Sequence, residues 1–384
     1  MRILVIHTYY QHPGGEDIVF QQEIEELRKT HTVETLTFQN KKGWKGGLQF
    51  LAYPWNLAAQ RRVRKCIQHF SPDVVHIHNL HYASGPAIIR AIHALGLPLV
   101  MTLHNFRLLC PSASLFFDGK LYLDSLSSTF PWKGIKLGVL DHSVLKTFWT
   151  AFTYWLHRKV GTWKQIDRYI VLTDFAKQLF QASPYGFSKG QVLVKPNFVE
   201  LETAETSDTR DDSYLYIGRL SAEKGILPLV EAFKQSTYQL KVVGDGPLMP
   251  QLQQNCAANP NIELLGAKSK SEAMRLLGQS KALIVPSICY EGAVPLTIIE
   301  GMANRTPILA SNLGAIPSSI IPEKTGYLFD PYQAESLRAS LEEFENSSKK
   351  SELVENAYRL YKEKYTKSLL MQQLIGIYEK IKTQ

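Results

Sequence analysis

Arg219 and Lys224 flank the turn in the segment YIGRLSAEKG at 216–225, where an apolar strand ends at Gly218 and a helix opens around Gly225. Such a turn lies at the carboxyl edge of a parallel sheet, where open α/β sheets bind their ligands. A guanidinium grips a diphosphate through its planar fork, and an ammonium adds a mobile point charge. The pair therefore suits a phosphorylated ligand; the plainer alternative leaves both cations as solvated surface charges. The segment VGDGP at 243–247 also follows a strand. Its glycines allow close approach of backbone to ligand, or serve the turn alone, since Met249 stands where a dinucleotide fingerprint would carry its third glycine.

The segment PSICYEGAVPLTIIE at 286–300 runs from a strand through a loop into an apolar helix. Pro295 suits the first helical turn, so the free amides around Val294 and Leu296 would face an anion at the helix N-terminus. Glu291 and Glu300 bracket that position. A carboxylate repels a bound phosphate, so their task would be hydrogen bonding to sugar or ribose hydroxyls. Alternatively, Glu291 answers the helix dipole and Glu300 is a solvated helix residue. In the first half, HPGGE at 12–16 places Gly14 and Gly15 between the first strand and a helix, either for close backbone approach to a ligand or as a plain left-handed turn. His104 follows the apolar run 99–103, and His76 and His78 alternate on another strand; each is a structural histidine unless a ligand reaches it.

These residues need a scaffold of parallel strands covered by helices. Short runs rich in Val, Ile and Leu alternate with amphipathic stretches along the chain, the pattern of such a sheet. Strands are expected at 2–6, 32–38, 73–77, 99–103, 167–172 and 191–194, and again at 213–217, 239–243, 262–265, 282–285, 307–310 and 327–329. The polar stretch 200–212 reads as a linker, with the boundary near Thr206. The expected division is 1–205, 206–365 and a C-terminal helix, 366–384, that crosses back to the first domain. A length of 384 residues, 45% of them hydrophobic, suits two such domains.

A net charge of +8 favours anionic partners, but no nucleic-acid recognition motif accompanies it. The four cysteines are scattered, without metal-site spacing, so neither disulfide nor zinc is expected. The N-terminal run is too short for a signal peptide, and no stretch is long enough to span a bilayer, so a cytoplasmic protein is expected.

Taken in order, the segments at 218–225, 244–247 and 291–311, with TGYLF at 325–329, resemble the retaining glycosyltransferases of family 4, which include bacterial glycogen synthases and many lipopolysaccharide and capsule enzymes. The resemblance covers nearly the whole chain. It implies two Rossmann-like, doubly wound α/β domains facing a cleft (the GT-B type), and transfer of a sugar from a nucleotide-diphosphate sugar to a hydroxyl with retention of anomeric configuration. By the same resemblance Arg219 and Lys224 grip the donor diphosphate, and Glu300 holds the ribose. Glu291 contacts the donor sugar, Leu264 and Leu265 lie near the base, and the amides of Ala293 and Val294 complete the donor site. Gly14 and Gly15 close over the donor from the first domain, and His104 hydrogen-bonds the transferred sugar. Neither a cofactor nor a metal is implied; the nucleotide sugar is the donor substrate.

The sequence departs from the family pattern at several points. Glu291 and Glu300 are nine positions apart, one more than is usual. On a continuous helix an extra residue rotates a side chain by about 100°; a bulge before Pro295 would keep Glu300 and displace Glu291. Asn304 and Arg305 stand where a helix-ending glycine is common, with Asn304 suited to the left-handed cap, and Ala315 replaces a second glycine after Gly314. Tyr122 and Ser125 stand where relatives often carry further cysteines after Cys110, which removes any metal site suggested for those relatives.

A glycan or lipid-linked acceptor is expected, at the inner face of a membrane. Aromatic and basic residues mix along 145–164 (Phe148, Trp149, Phe152, Tyr154, Trp155, His157, Arg158, Lys159, Trp163), with further cations at 41–45 and 61–65. Such a helix lies either at an anionic membrane surface or with its aromatic stripe in the core. Two other readings suit the same architecture: a non-catalytic nucleotide-sugar-binding subunit, and a nucleotide-sugar epimerase.

Overall fold

A computed structural model describes residues 1–11, 14–188, 190–200 and 210–383. His12, Pro13 and the expected boundary at Thr206 lie outside these residues. By internal contacts the chain forms two compact units. The first is Met1–Leu115, Tyr122–Lys195 and Ser368–Gln384; the second is Phe116–Leu121 and Pro196–Lys367.

The first unit is built on β1 (Arg2–Tyr9), β2 (Thr32–Gln39), β3 (Val74–Ile77) and β4 (Leu99–Leu103). A short antiparallel hairpin, β5 (Phe116–Phe117) and β6 (Lys120–Leu121), follows in the chain and belongs to the second unit. Next come β7 (Arg168–Val171) and β8 (Val192–Val194), which complete the sheet in the order β2-β1-β3-β4-β7-β8, all parallel. The hairpin was not expected, because two residues per strand carry no periodic signal. The second unit repeats the plan with β9 (Ser213–Ile217), β10 (Gln239–Val243), β11 (Ile262–Gly266), β12 (Ala282–Val285), β13 (Ile308–Ser311) and β14 (Tyr327–Phe329), in the order β11-β10-β9-β12-β13-β14.

The central strands read as unbroken apolar runs because both faces are covered; every residue of β3, β4, β12 and β13 is buried. The edge strand β2 alternates instead.

Strand order fixes where ligands bind. In the first sheet the chain leaves β1 for β2 on one side and returns to β3 on the other; in the second it leaves β9 for β10 and β11 and returns to β12. These reversals open a crevice outside the carboxyl ends of β1 and β3, and another outside those of β9 and β12, the positions at which doubly wound sheets take their ligands. Gly14 and His78 lie at the first, Arg219 and the loop after Val285 at the second.

Two local expectations need correction. The left-handed residue ending the helix Leu296–Ala303 is Arg305 (φ 55°), whereas Asn304 keeps φ −83° and its amide donates to the Glu300 carbonyl at 2.8 Å. Arg305 is held by an ion pair with Glu355 (2.7 Å) and by the Tyr358 ring, 3.6 Å from its guanidinium carbon. Pro295 is the cap preceding that helix, not part of its first turn, with ψ 133° and a carbonyl that accepts from the Ile298 amide at 3.0 Å. Ala315 has an ordinary φ of −80°, so no glycine is needed there.

Candidate functional site

In the second unit the turn after β9 forms a single helical turn, Ala222–Lys224, and then passes through Gly225 in the left-handed region (φ 69°) into the helix Ile226–Lys234. A Cβ on Gly225 would stand 1.8 Å from the Pro286 carbonyl oxygen, so only glycine lets this turn lie against the loop after β12. The Ile288 amide closes the seam by donating to the Glu223 carbonyl at 3.0 Å. Gly244 (φ 144°) and Gly246 approach the carbonyls of Gly218 and Leu220 in the same way; added Cβ atoms would stand 1.9 and 2.5 Å from them. These glycines serve backbone packing among three loops at one sheet edge.

That packing brings Lys224 to Glu291. The ammonium lies 2.7 Å from Oε1 of Glu291, which also accepts from the Ser287 hydroxyl at 2.8 Å. Burial alone would lower the Lys224 pKa, but the charge of Glu291, with Cys289 and Glu223 adding, raises it above its usual value. The ammonium is thus charged at any physiological pH. Gly314 (φ 61°) fits under this loop, where an added Cβ would meet the Tyr290 Cα at 3.1 Å. The longer spacing from Glu291 to Glu300 is accommodated in the loop before the helix, and Glu291 remains at the turn.

Arg219 is exposed, and its guanidinium makes no hydrogen bond or ion pair to the described residues. The amides of Leu296 and Thr297, in the first turn of their helix, likewise have no acceptor among them. Glu300 is buried (4% exposed) and ion-paired with Lys270, a residue that sequence reasoning missed; the reading of Glu300 as a solvated helix residue is therefore excluded. Lys270 opens the helix Lys270–Gln279, and its only signal was the capping pattern Ser269…Glu272. Leu264 and Leu265 are half-buried near the end of β11, which runs on to Gly266, and they pack on opposite faces of the sheet.

In the first unit Gly14 caps the helix Gly15–Arg28 with extended backbone (φ −133°), and Gly15 is its first residue. Neither is left-handed, which removes the plain-turn alternative, and an added Cβ at either would meet nothing within 4 Å. The Gly14 amide instead donates to the Asp17 carboxylate at 2.7 Å, while Asp17 also bonds Nε2 of His7 at 2.7 Å.

His104 is half-buried, with Nε2 3.1 Å from Nδ1 of His78. Burial, with His7 and Lys195 adding, pushes its pKa down to about 3, so the ring is neutral and offers hydrogen bonding rather than an acid. His76 and His78 are both buried, and only His76 has both ring nitrogens hydrogen-bonded. His76 bonds Thr102 (2.8 Å) and Tyr378 (2.7 Å) from the C-terminal helix Lys367–Lys382. Glu23, His76 and His78 bring ligand atoms within 4.8 Å of one another. The Lys195 ammonium lies 2.6 Å from Oε1 of Glu23, whereas Oε2 of Glu23 and Nε2 of His78, 3.4 Å apart, are buried without a hydrogen-bond partner among the described residues.

Glu16, beside Gly15, accepts from the side-chain amides of Asn79 (2.7 Å) and Asn105 (3.2 Å). Burial and the neighbouring Asp17 push its carboxyl up to about 8 against the opposing pull of Arg107. Its folded pKa exceeds its unfolded value of 4.5. The folded protein therefore holds the extra proton between pH 4.5 and 8, and stability falls as pH rises through that window. In Glu16→Gln this fall should be lost, so the melting temperature of the variant should overtake that of the parent by pH 8. Parallel pH curves would contradict the assignment.

The aromatic helix Val144–Lys159 is split between core and surface, with Phe148, Trp149, Phe152 and Trp155 half-buried. Tyr154 and His157, with Trp163 beyond it, are buried and packed together.

Comparison with known proteins bears on both units. The family described as Glycosyltransferase Family 4 matches residues 14–203, and that described as Glycosyl transferases group 1 matches 199–360. The chain belongs to the family 4 glycosyltransferases. It is 27% identical over 176 residues to the α-D-kanosaminyltransferase of Streptomyces kanamyceticus, spanning 44% of this chain and 45% of that protein. It is 22% identical over 333 residues to the sulfoquinovosyl transferase SQD2 of Arabidopsis thaliana, spanning 81% and 57%. The chain spans less than half the length of the kanosaminyltransferase it matches. The structure of Anabaena Alr3699/HepE in complex with UDP superposes with a TM-score of 0.71 at 15% identity, covering 99% of this chain and all of that one. The fold is therefore of the GT-B type that this family shares.

Proposed function

We propose that the protein is a retaining glycosyltransferase that moves a sugar from a nucleotide-diphosphate donor to a hydroxyl of a glycan or lipid-linked acceptor in cell-surface polysaccharide synthesis. The observation that carries this reading is the Lys224–Glu291 pair, set at the strand-order reversal beside the free guanidinium of Arg219 and the open helix-terminal amides. The acceptor hydroxyl attacks the anomeric carbon on the face the diphosphate leaves. Arg219, Lys224 and the amides stabilise charge developing on the departing phosphate, a task that needs no bound metal. Glu300 hydrogen-bonds the ribose and displaces Lys270, Glu291 orients the donor sugar, and Leu264 and Leu265 border the base. NMR of the product formed from an α-linked donor should show an α-linkage; a β-linkage would reject retention.

The membrane partner is drawn from the helix Gly43–Ala52. Trp44, Leu48 and Leu51 recur at helical spacing and are 73, 57 and 65% exposed. Lys41, Lys42 and Lys45 lie alongside, and the helix carries no acidic residue. Apolar side chains with flanking cations suit an anionic leaflet. No helix among the described residues is long and apolar enough to cross a membrane. The protein should float with phosphatidylglycerol vesicles and not with phosphatidylcholine alone, and the double variant Trp44→Ala/Leu48→Ala should lose most of that binding. Equal recovery with both lipids, or no binding to either, would remove the membrane from the account.

A further inference from the structure

Three side chains behind His104 determine which of its ring nitrogens carries the proton. Lys195, directly after β8, pairs with Oε1 of Glu23 at 2.6 Å, and both side chains are almost fully buried. An ionised carboxylate only accepts hydrogen bonds, and its second oxygen, Oε2, lies 3.4 Å from Nε2 of His78. Burial holds the His78 pKa well below its usual value, with His76, His104, His7 and Lys195 adding, so this ring is neutral and carries one proton. On Nδ1 that proton would leave two acceptors, Nε2 and the carboxylate oxygen, facing each other in the interior, where nothing compensates the repulsion. On Nε2 it faces the carboxylate.

The Nδ1 atom of His78 is then a lone pair, 3.1 Å from Nε2 of His104. The two ring planes are 23° apart with centroids 5.3 Å apart, so the nitrogens meet edge-on, as a hydrogen bond in the ring planes requires. His104 must donate there. Being neutral as well, it has its single proton on Nε2, and its Nδ1 is left as an acceptor with no hydrogen bond among the described residues. The other titratable groups of the cluster do not compete. His76 spends both nitrogens on Thr102 and Tyr378, and Asp17 takes Nε2 of His7.

We propose that Glu23 and His78 are positioning residues that present Nδ1 of His104, at the carboxyl edge of the first sheet, as an acceptor for a substrate hydroxyl. This rests on the glycosyltransferase reading above and adds the direction of the bond. The hydroxyl donates to the ring, so a sugar in which that hydroxyl is removed or methylated is discriminated against. The Lys195–Glu23 pair anchors the chain of protons at its buried end, 172 residues apart in sequence and joined only by the fold.

The test is proton–nitrogen NMR of the full chain carrying isotope-labelled histidine, which reports the proton position on each ring. Near neutral pH the parent should show His78 and His104 each protonated on Nε2 alone. Glu23→Gln should reverse both rings: the Lys195 ammonium keeps the amide oxygen, the amide nitrogen donates to Nε2 of His78, and the protons move to Nδ1 of His78 and of His104. Sugar transfer by this variant should fall about tenfold or more, the scale of a lost hydrogen bond to substrate, with nucleoside-diphosphate affinity unchanged. A purely structural role for Glu23 would leave the His104 proton where it is. Should Glu23→Gln not fold, His78→Phe keeps the Lys195–Glu23 pair, and it should release the His104 proton to both nitrogens and lower transfer likewise. A parent His104 protonated on Nδ1, or a folded variant that keeps the parent's proton positions or its rate of transfer, would overturn the proposal. Absence of transfer by the parent from any nucleotide sugar would instead defeat the glycosyltransferase reading, and it is seen separately because the spectrum needs no substrate.

Discussion

Lys224→Ala is expected to lower kcat/KM for sugar transfer by about 100-fold or more, the scale of losing one preorganised charged donor at a developing oxyanion. Two effects add. The leaving diphosphate loses an ammonium, and Glu291, which that ammonium neutralises at 2.7 Å, is left to repel it. The second effect is separable: Lys224→Ala/Glu291→Gln should recover part of the loss at the diphosphate while giving up contact to the sugar. Because both partners are partly exposed, breaking the pair should cost only about 1 kcal/mol or less of stability. A fall in turnover would then reflect chemistry, and unchanged turnover would refute the role.

Gly225→Ala should destabilise the second unit by about 4 kcal/mol, an unusually large effect for adding one methyl group. Alanine at φ 69° carries a left-handed strain of about 1–2 kcal/mol. The larger part comes from the Cβ, 1.8 Å from the Pro286 carbonyl oxygen, which must force the β9 turn off the loop that follows β12. Gly14→Ala is the matched control: its φ of −133° is open to any residue and its Cβ would meet nothing within 4 Å, so it should change stability by less than about 1 kcal/mol. Chemical denaturation of both variants checks the contrast. Equal effects would mean that the loops at the sheet edge do not depend on this contact.

Most strands of both sheets could be read from sequence because strands covered on two faces are continuous apolar runs, and each run here ends in a turn signal. The same property made Arg219, Lys224 and the loop before Pro295 legible as one group, since each follows a strand at a carboxyl edge. Pairings across long separations were not legible. Lys195 and Glu23 are 172 residues apart, and nothing local marks either as a buried ion pair. Glu16 meets Asn79 and Asn105 only because β1, β3 and β4 are neighbours, so its perturbed carboxyl follows from topology. Backbone details failed for a related reason. Asn304 has the better intrinsic tendency for the left-handed cap, but tertiary contacts to Glu355 and Tyr358 let Arg305 take it.

The central claim, that the turn after β9 is a nucleotide-diphosphate-sugar site, is tested most directly by thermal shift of the full chain against UDP-, GDP- and ADP-sugars, with Arg219→Ala/Lys224→Ala alongside. A ligand that binds only the native state raises the midpoint by RT ln(1 + [L]/Kd) in free energy, about 2.7 kcal/mol at a hundredfold excess over Kd. The account predicts that one donor class shifts the parent protein and that the double variant loses the shift. A shift of the same size in the double variant, or no shift with any of the three, would contradict it.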